Sequence, residues 1–248
     1  MVWLRLIVAL ATLTACGGLT TAEERYNEAV ELQLEGRVEE AVRAYDEAIR
    51  LDPQLAVAYY NRANAYLGDL DQYQVALSDY AEVLRIDPLF AQAYHNRGIA
   101  YFRLRLLEKA IGSYDEAIRL NPLRARAFHN RGIAYDGLGE HELAIEDFSE
   151  ALRLNFDPAA QTHALRGQAY TELGHYERAV EDYDEAVRLD PRNAPAYAGR
   201  ALSYAFLGNE AAAQEDIDRA AALGMSPSIL ERLVESHMKT RRSTSLGG

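Results

Sequence analysis

The chain has 248 residues, 49% hydrophobic and 26% charged, a balance that supports a large buried core and argues against a disordered chain. Its formal net charge of -12 argues against a phosphate-binding surface, because nucleic-acid affinity rests on Lys and Arg neutralising phosphates. The single cysteine excludes an internal disulfide framework, a multi-cysteine zinc site and an iron–sulfur cluster held by several thiolates.

The first element in chain order is a short start with one positive charge, Arg5, followed by an apolar run from Leu6 to Leu13. This is the layout of a secretory signal, predicted over residues 1–15. The run is well short of the roughly 20 residues a helix needs to cross a bilayer. Leu13, Thr14, Ala15 and Cys16 resemble the lipobox of bacterial lipoproteins, whose cysteine becomes the lipid-modified first residue of the mature chain. The resemblance implies acylation at Cys16 and attachment to a lipid bilayer; Gly17 in place of Asp then implies the outer membrane, facing the periplasm. An ordinary cleaved signal leaving a free thiol, or an uncleaved apolar helix, are the alternatives. Residues 16–21 form the anchor linker, whose chain length limits the tether to under roughly 20 Å.

From residue 22 to 226 two blocks alternate. The first is YYNRANAY from Tyr59, YHNRGIAY from Tyr94, FHNRGIAY from Phe128, HALRGQAY from His163 and YAGRALSY from Tyr197. The second is AIRLDP ending at Pro53, with counterparts ending at Pro88, Pro122, Pro158 and Pro191. A sustained period of 34 residues is the signature of a helix-turn-helix solenoid. Apolar and small residues three and four apart, as at Ala144, Ile145, Phe148, Ala151 and Leu152, line one face of a helix. Gly36, Gly139, Gly174 and Gly208 suit the turn between the two helices of a repeat. Arg50, Arg85, Arg119, Arg153 and Arg188 suit the last turn of the second helix.

On these residues, and on Gly98, Gly132, Gly167 and the alanines Ala41, Ala76, Ala110, Ala144, Ala179 and Ala213, the chain resembles the tetratricopeptide repeat (TPR) family. The implied fold is all-α: a right-handed helix-turn-helix superhelix of six repeats. A capping helix is predicted over 227–240, with Ile229, Leu230 and Leu233 on its apolar face, followed by a disordered tail over 241–248. The first helix of repeat 1, with Arg25, Glu28 and Leu32 at positions where others carry an aromatic or His, an Arg and a Tyr, is expected to be partly frayed. Repeat 2 has one extra residue in GDLDQY and repeat 4 one near Phe156.

The family's ligands bind along the first helices, on the concave side. One column there reads Tyr26, Tyr60, His95 and His129; its neighbour reads Asn27, Asn61, Asn96 and Asn130; both turn apolar in repeats 5 and 6. Asn donates to and accepts from a peptide backbone, and Tyr and His offer flat surfaces with a polar edge, so this ladder is the predicted partner-binding site for a protein or peptide. Some TPR proteins clamp a terminal carboxylate with Lys, Asn, Asn, Lys and Arg. Here Asn64, Asn96 and the basic Arg126 fit that pattern, but Tyr60 and Asn130 replace the first Lys and the Arg, leaving the clamp incomplete.

Arg62, Arg97, Arg131, Arg166 and Arg200 recur at a position where the family more often has an apolar residue. Four are matched by an Asp in the second helix, which predicts the ion pairs Arg62 with Asp79, Arg131 with Asp147, Arg166 with Asp182, and Arg200 with Asp216. Repeat 3 breaks the rule with Arg97 and Ser113.

No HExxH, GxSxG or phosphate-cradling glycine loop occurs, and no third ligand accompanies His95 and His129, so neither an enzyme, a cofactor, a metal site nor a small-molecule substrate is expected. The resulting functional expectation is a lipid-anchored periplasmic scaffold or adaptor that binds a protein or peptide in its groove. A pilotin-like assembly factor, an adaptor for cell-wall enzymes, and a cytoplasmic co-chaperone with an uncleaved N-terminus are the alternatives.

Overall fold

The computed structural model describes residues 21–226 and 228. The predicted signal segment, Cys16, most of the anchor linker, the tail and, Ser228 apart, the predicted capping helix lie outside the described residues.

Twelve helices run consecutively among the described residues: α1 (Thr21–Leu34), α2 (Val38–Leu51), α3 (Ala56–Asn64), α4 (Tyr73–Ile86), α5 (Ala91–Arg103), α6 (Leu107–Leu120), α7 (Ala125–Leu138), α8 (His141–Arg153), α9 (Ala159–Glu172), α10 (Tyr176–Leu189), α11 (Ala194–Leu207) and α12 (Glu210–Ala222). They pack as antiparallel pairs, one pair per repeat. Two compact units are distinguished, one up to Phe90, holding repeats 1 and 2, and one from Ala91 on, holding repeats 3 to 6.

The cores explain the repeated letters. Each is made mostly of alanine, which lets helix axes approach closely, around a large side chain from the second helix: Tyr45, Tyr80, Tyr114, Phe148, Tyr183 and Ile217 are all buried. The glycines of the first helices exist for these rings. A Cβ on Gly98 would lie 2.5 Å from the Tyr114 ring, and one on Gly132 2.8 Å from Phe148. The tyrosine hydroxyls find partners: Tyr45 donates to Gln33 at 3.0 Å and Tyr80 to Asn64 at 2.7 Å.

Second helices end by a shared device. Asp52, Asp87, Asn121 and Asp190 each accept, through a side-chain oxygen, the backbone N–H two residues on, forming an Asx turn after the last helical residue. Between the helices of a repeat, Gly36, Gly139, Gly174 and Gly208 take φ near +80°. Asp71 and Arg105 adopt positive φ without being glycine, which the sequence did not signal.

Three expectations meet specific outcomes. The extra residue of repeat 2 is absorbed by a π turn at Ala65–Asp69, with Leu70 N–H donating to Ala65 C=O at 3.1 Å. The extra residue of repeat 4 sets Phe156 where other repeats carry the proline. The expected fraying of the first helix is not what is found: α1 is continuous, buries Ala22 and Ala29, and sets the Tyr26 ring 6.1 Å from that of Tyr45. This is the same contact that Tyr60 makes with Tyr80 in repeat 2, at 6.3 Å, so the helix keeps its packing without an opening aromatic.

Candidate functional site

The arginine column is built from the first helices. Arg131 on α7 donates from Nε and Nη2 to the two carboxylate oxygens of Asp147 on α8, at 2.8 and 2.7 Å. Arg62 with Asp79, Arg166 with Asp182, and Arg200 with Asp216 repeat this two-bond geometry. The aspartates are buried and the arginines mostly so, which makes these charge-assisted forks the strong kind of ion pair.

Pairing within repeats is only half of the arrangement. The remaining Nη1 of each arginine reaches back to the preceding repeat: Arg131 to Asp115 at 2.6 Å, Arg200 to Asp184 at 2.5 Å, Arg62 to Asp46, and Arg166 to the Ser149 hydroxyl at 2.9 Å. Each arginine therefore ties its own two helices together and ties its repeat to the one before. Sequence reasoning missed the second partners, although Asp46, Asp115 and Asp184 stand at one register. In repeat 5, His163 adds a third bond, to Asp182 at 2.8 Å. Burial alone would raise the Asp182 carboxyl, but the bonds from His163 and Arg166 outweigh it and hold it below the usual range. Asp147 lacks the histidine, and there burial prevails over Arg131 and pushes the carboxyl up.

The predicted ligand ladder is rearranged. Asn61 donates to the Tyr26 hydroxyl at 2.9 Å, and Asn64 accepts from Tyr80, so these side chains are engaged with the fold. Asn27 is exposed, while Tyr60 and Asn96 are half-buried. Tyr60 is covered by Phe90, with ring centroids 4.9 Å apart.

The two histidines correct the expectation of an open polar column. His95 is 1% exposed and His129 5%. His129 lies between Phe148 and Phe156 and pairs through Nδ1 with the Thr162 hydroxyl at 3.0 Å. His95 packs on Tyr114, and neither of its ring nitrogens has a hydrogen-bond partner. Burial, aided by Arg124 and Arg126, lowers His95 to about 3; burial, aided by Arg126, lowers His129 to about 4. Both are neutral at ordinary pH. The reason is local: a flat ring directed between two first helices is covered by the next repeat and its loop.

What remains open in this region is a pocket of about 380 Å³ in the second unit. Ile99 and Phe102 of α5, Ile133 of α7 and the inserted Phe156 form its apolar walls, with Tyr114 and His129 also lining it. Arg126, Asn130, Asp157 and Gln161 supply the polar edge. Of the predicted ladder, Arg126, His129 and Asn130 are brought together here. These apolar walls do not show in the polar columns of the sequence; the insertion that adds Phe156 is the signal that marks them. Among the described residues no three His, Cys, Asp or Glu side chains come together to hold a metal, and no helix is long and apolar enough to cross a membrane.

Known folds and families match this architecture. The structure superposes on a TPR protein from Parabacteroides merdae with a TM-score of 0.70 and 23% identity, covering 89% of this chain and 88% of that one. YrrB, described as a TPR protein with an unusual peptide-binding site, matches with a TM-score of 0.68 and 23% identity over 80% of this chain and 99% of its own. The MamA protein matches with a TM-score of 0.65 and 25% identity over 70% of this chain and 94% of its own. Among curated proteins none is similar enough in sequence to count as a match. Family models described as TPR repeat match residues 34–69 and 167–208, and those described as tetratricopeptide repeat match 56–88, 91–122 and 125–158. Together these span most of the described repeats. The chain belongs to the tetratricopeptide repeat family.

Proposed function

We propose that this chain is an adaptor that binds a protein or peptide at the pocket of repeats 3 to 5 and is held at the bacterial envelope by a lipid on Cys16. The pocket carries the reading. Ile99, Phe102, Ile133 and Phe156 offer an apolar socket for one large side chain, and the Asn130 and Gln161 amides stand at its edge to pair with a peptide backbone. The repeats act as a preformed scaffold, so binding spends little on ordering the protein. An anchor at Cys16 contributes by raising local concentration at the membrane surface, on the outer membrane and facing the periplasm.

Two measurements test the two halves separately. A photo-crosslinking amino acid at residue 133 in cells is expected to yield one discrete adduct that disappears in Phe102→Arg; no adduct, or one insensitive to that change, defeats the binding reading. The intact mass and membrane partitioning of wild type against Cys16→Ser test the anchor. A lipidated chain beginning at Cys16, lost in the variant, is expected, and a full-length soluble wild type defeats it.

A further inference from the structure

Repeat 3 departs from the arginine column in one respect only, its acids. Where repeats 2, 4, 5 and 6 have Asp79, Asp147, Asp182 and Asp216, it has Ser113. The register that holds Asp46, Asp115 and Asp184 in repeats 1, 3 and 5 is Ala81 in the sequence of repeat 2. Arg97 is nonetheless present. Its Nε donates to the Ser113 hydroxyl at 3.2 Å and its guanidinium lies 4.9 Å from the Tyr94 ring centroid, and among the described residues it has no carboxylate partner. Ser113 is itself committed as a donor to Lys109 C=O at 2.9 Å, and Lys109, one turn away on α6, is exposed, with its ammonium over Tyr101.

We propose that Arg97 is a receptor for one carboxylate side chain, Asp or Glu, of a partner protein. The chain itself shows what the position takes: four times an arginine on the same first-helix register grips a carboxylate through two parallel bonds, and in repeat 3 the grip is retained while the carboxylate is removed. An arginine kept half-buried without its anion forgoes the fork that stabilises its counterparts. Lys109 on α6 is a second cation with no carboxylate bonded to it among the described residues. The receptor is distinct from the pocket. Ile99, which lines the pocket, is two residues on from Arg97 and so about 200° round the α5 helix.

The test uses the full chain and the tripeptide acetyl-Gly-Glu-Gly amide as probe, with its Gln counterpart as control, at constant ionic strength. The Arg97 Nε–H resonance is expected to shift saturably with the Glu peptide and not with the Gln peptide, while the clamped Arg131 resonance stays fixed. Ser113→Asp supplies the missing acid internally, and the Arg97 shift should be lost. An unmoved Arg97, an equal shift with the Gln peptide, or an undiminished shift in Ser113→Asp overturns the proposal. Inorganic phosphate is the remaining arm: tighter saturation by phosphate than by the Glu peptide overturns the assignment to a carboxylate.

Discussion

The rings of His129 and Phe156 lie 4.5 Å apart between centroids, tilted by 31°. Phe156 is the residue that repeat 4 sets in place of the proline, and Phe90 stands in the same relation to Tyr60 one unit earlier. In both cases an aromatic from the connecting loop closes over a ring of the preceding first helix. Replacing Phe156 with Ala removes one wall of the pocket and one cover of His129. Because burial is the largest cause of the depressed His129 value of about 4, the variant should titrate closer to the ordinary histidine value. The imidazole carbon resonances followed by NMR across pH 3–8 read this directly, and an unchanged titration would refute it.

Removing one partner of a buried ion pair leaves the other charge stranded. Asp147→Ala should therefore cost about 3–5 kcal/mol in urea unfolding, because Arg131 then keeps only Asp115. The double variant Arg131→Leu, Asp147→Leu should recover much of that loss. A single variant as mild as a surface substitution, within about 0.5 kcal/mol, would show the clamp to be decorative.

His95 makes stability depend on pH. The unfolded chain takes up a proton near pH 6.5, whereas the folded chain does so only near 3. Between these values the unfolded state binds more protons, so the contribution is fully present above about 6.5 and is lost as pH falls through the window. From pH 7 to 5 this amounts to about 2 kcal/mol. His95→Phe should flatten the wild-type profile by that amount in unfolding measured at both pH values; parallel profiles would contradict it.

Two glycines of repeat 3 should respond to alanine with opposite signs. At Gly98 the new Cβ meets Tyr114 at 2.5 Å, and the variant should lose about 1–3 kcal/mol through overpacking. At Gly112, an exposed position on α6 with open space around it, the same change should add up to about 1 kcal/mol by helix propensity. Thermal melts of the two variants side by side decide it.

The helix pairs, their turns and the four Arg–Asp pairs were legible because each is written by residues at fixed spacing within one repeat. The site was less so, because it depends on what covers what across repeats. His129 reads as a surface ladder residue until Phe156 and Thr162, the latter 33 residues on, are seen to enclose it. Asn61 reads as a free amide until the Tyr26 hydroxyl, 35 residues back, is found against it. The left-handed turns at Asp71 and Arg105 carry no glycine to announce them. The π turn at Ala65–Asp69 is visible in sequence only as one residue too many.

The arginine clamps have a direction along the chain. Arg131 belongs to a first helix; Asp115 lies 16 residues before it and Asp147 16 residues after. On a chain emerging from the ribosome, Arg62, Arg131 and Arg200 each meet the preceding repeat's acid already in place, and the acid of their own repeat arrives only later. Repeat 4 can thus dock on repeat 3, and repeat 6 on repeat 5, before their own second helices exist, so that at these steps the chain already made templates the helix that follows.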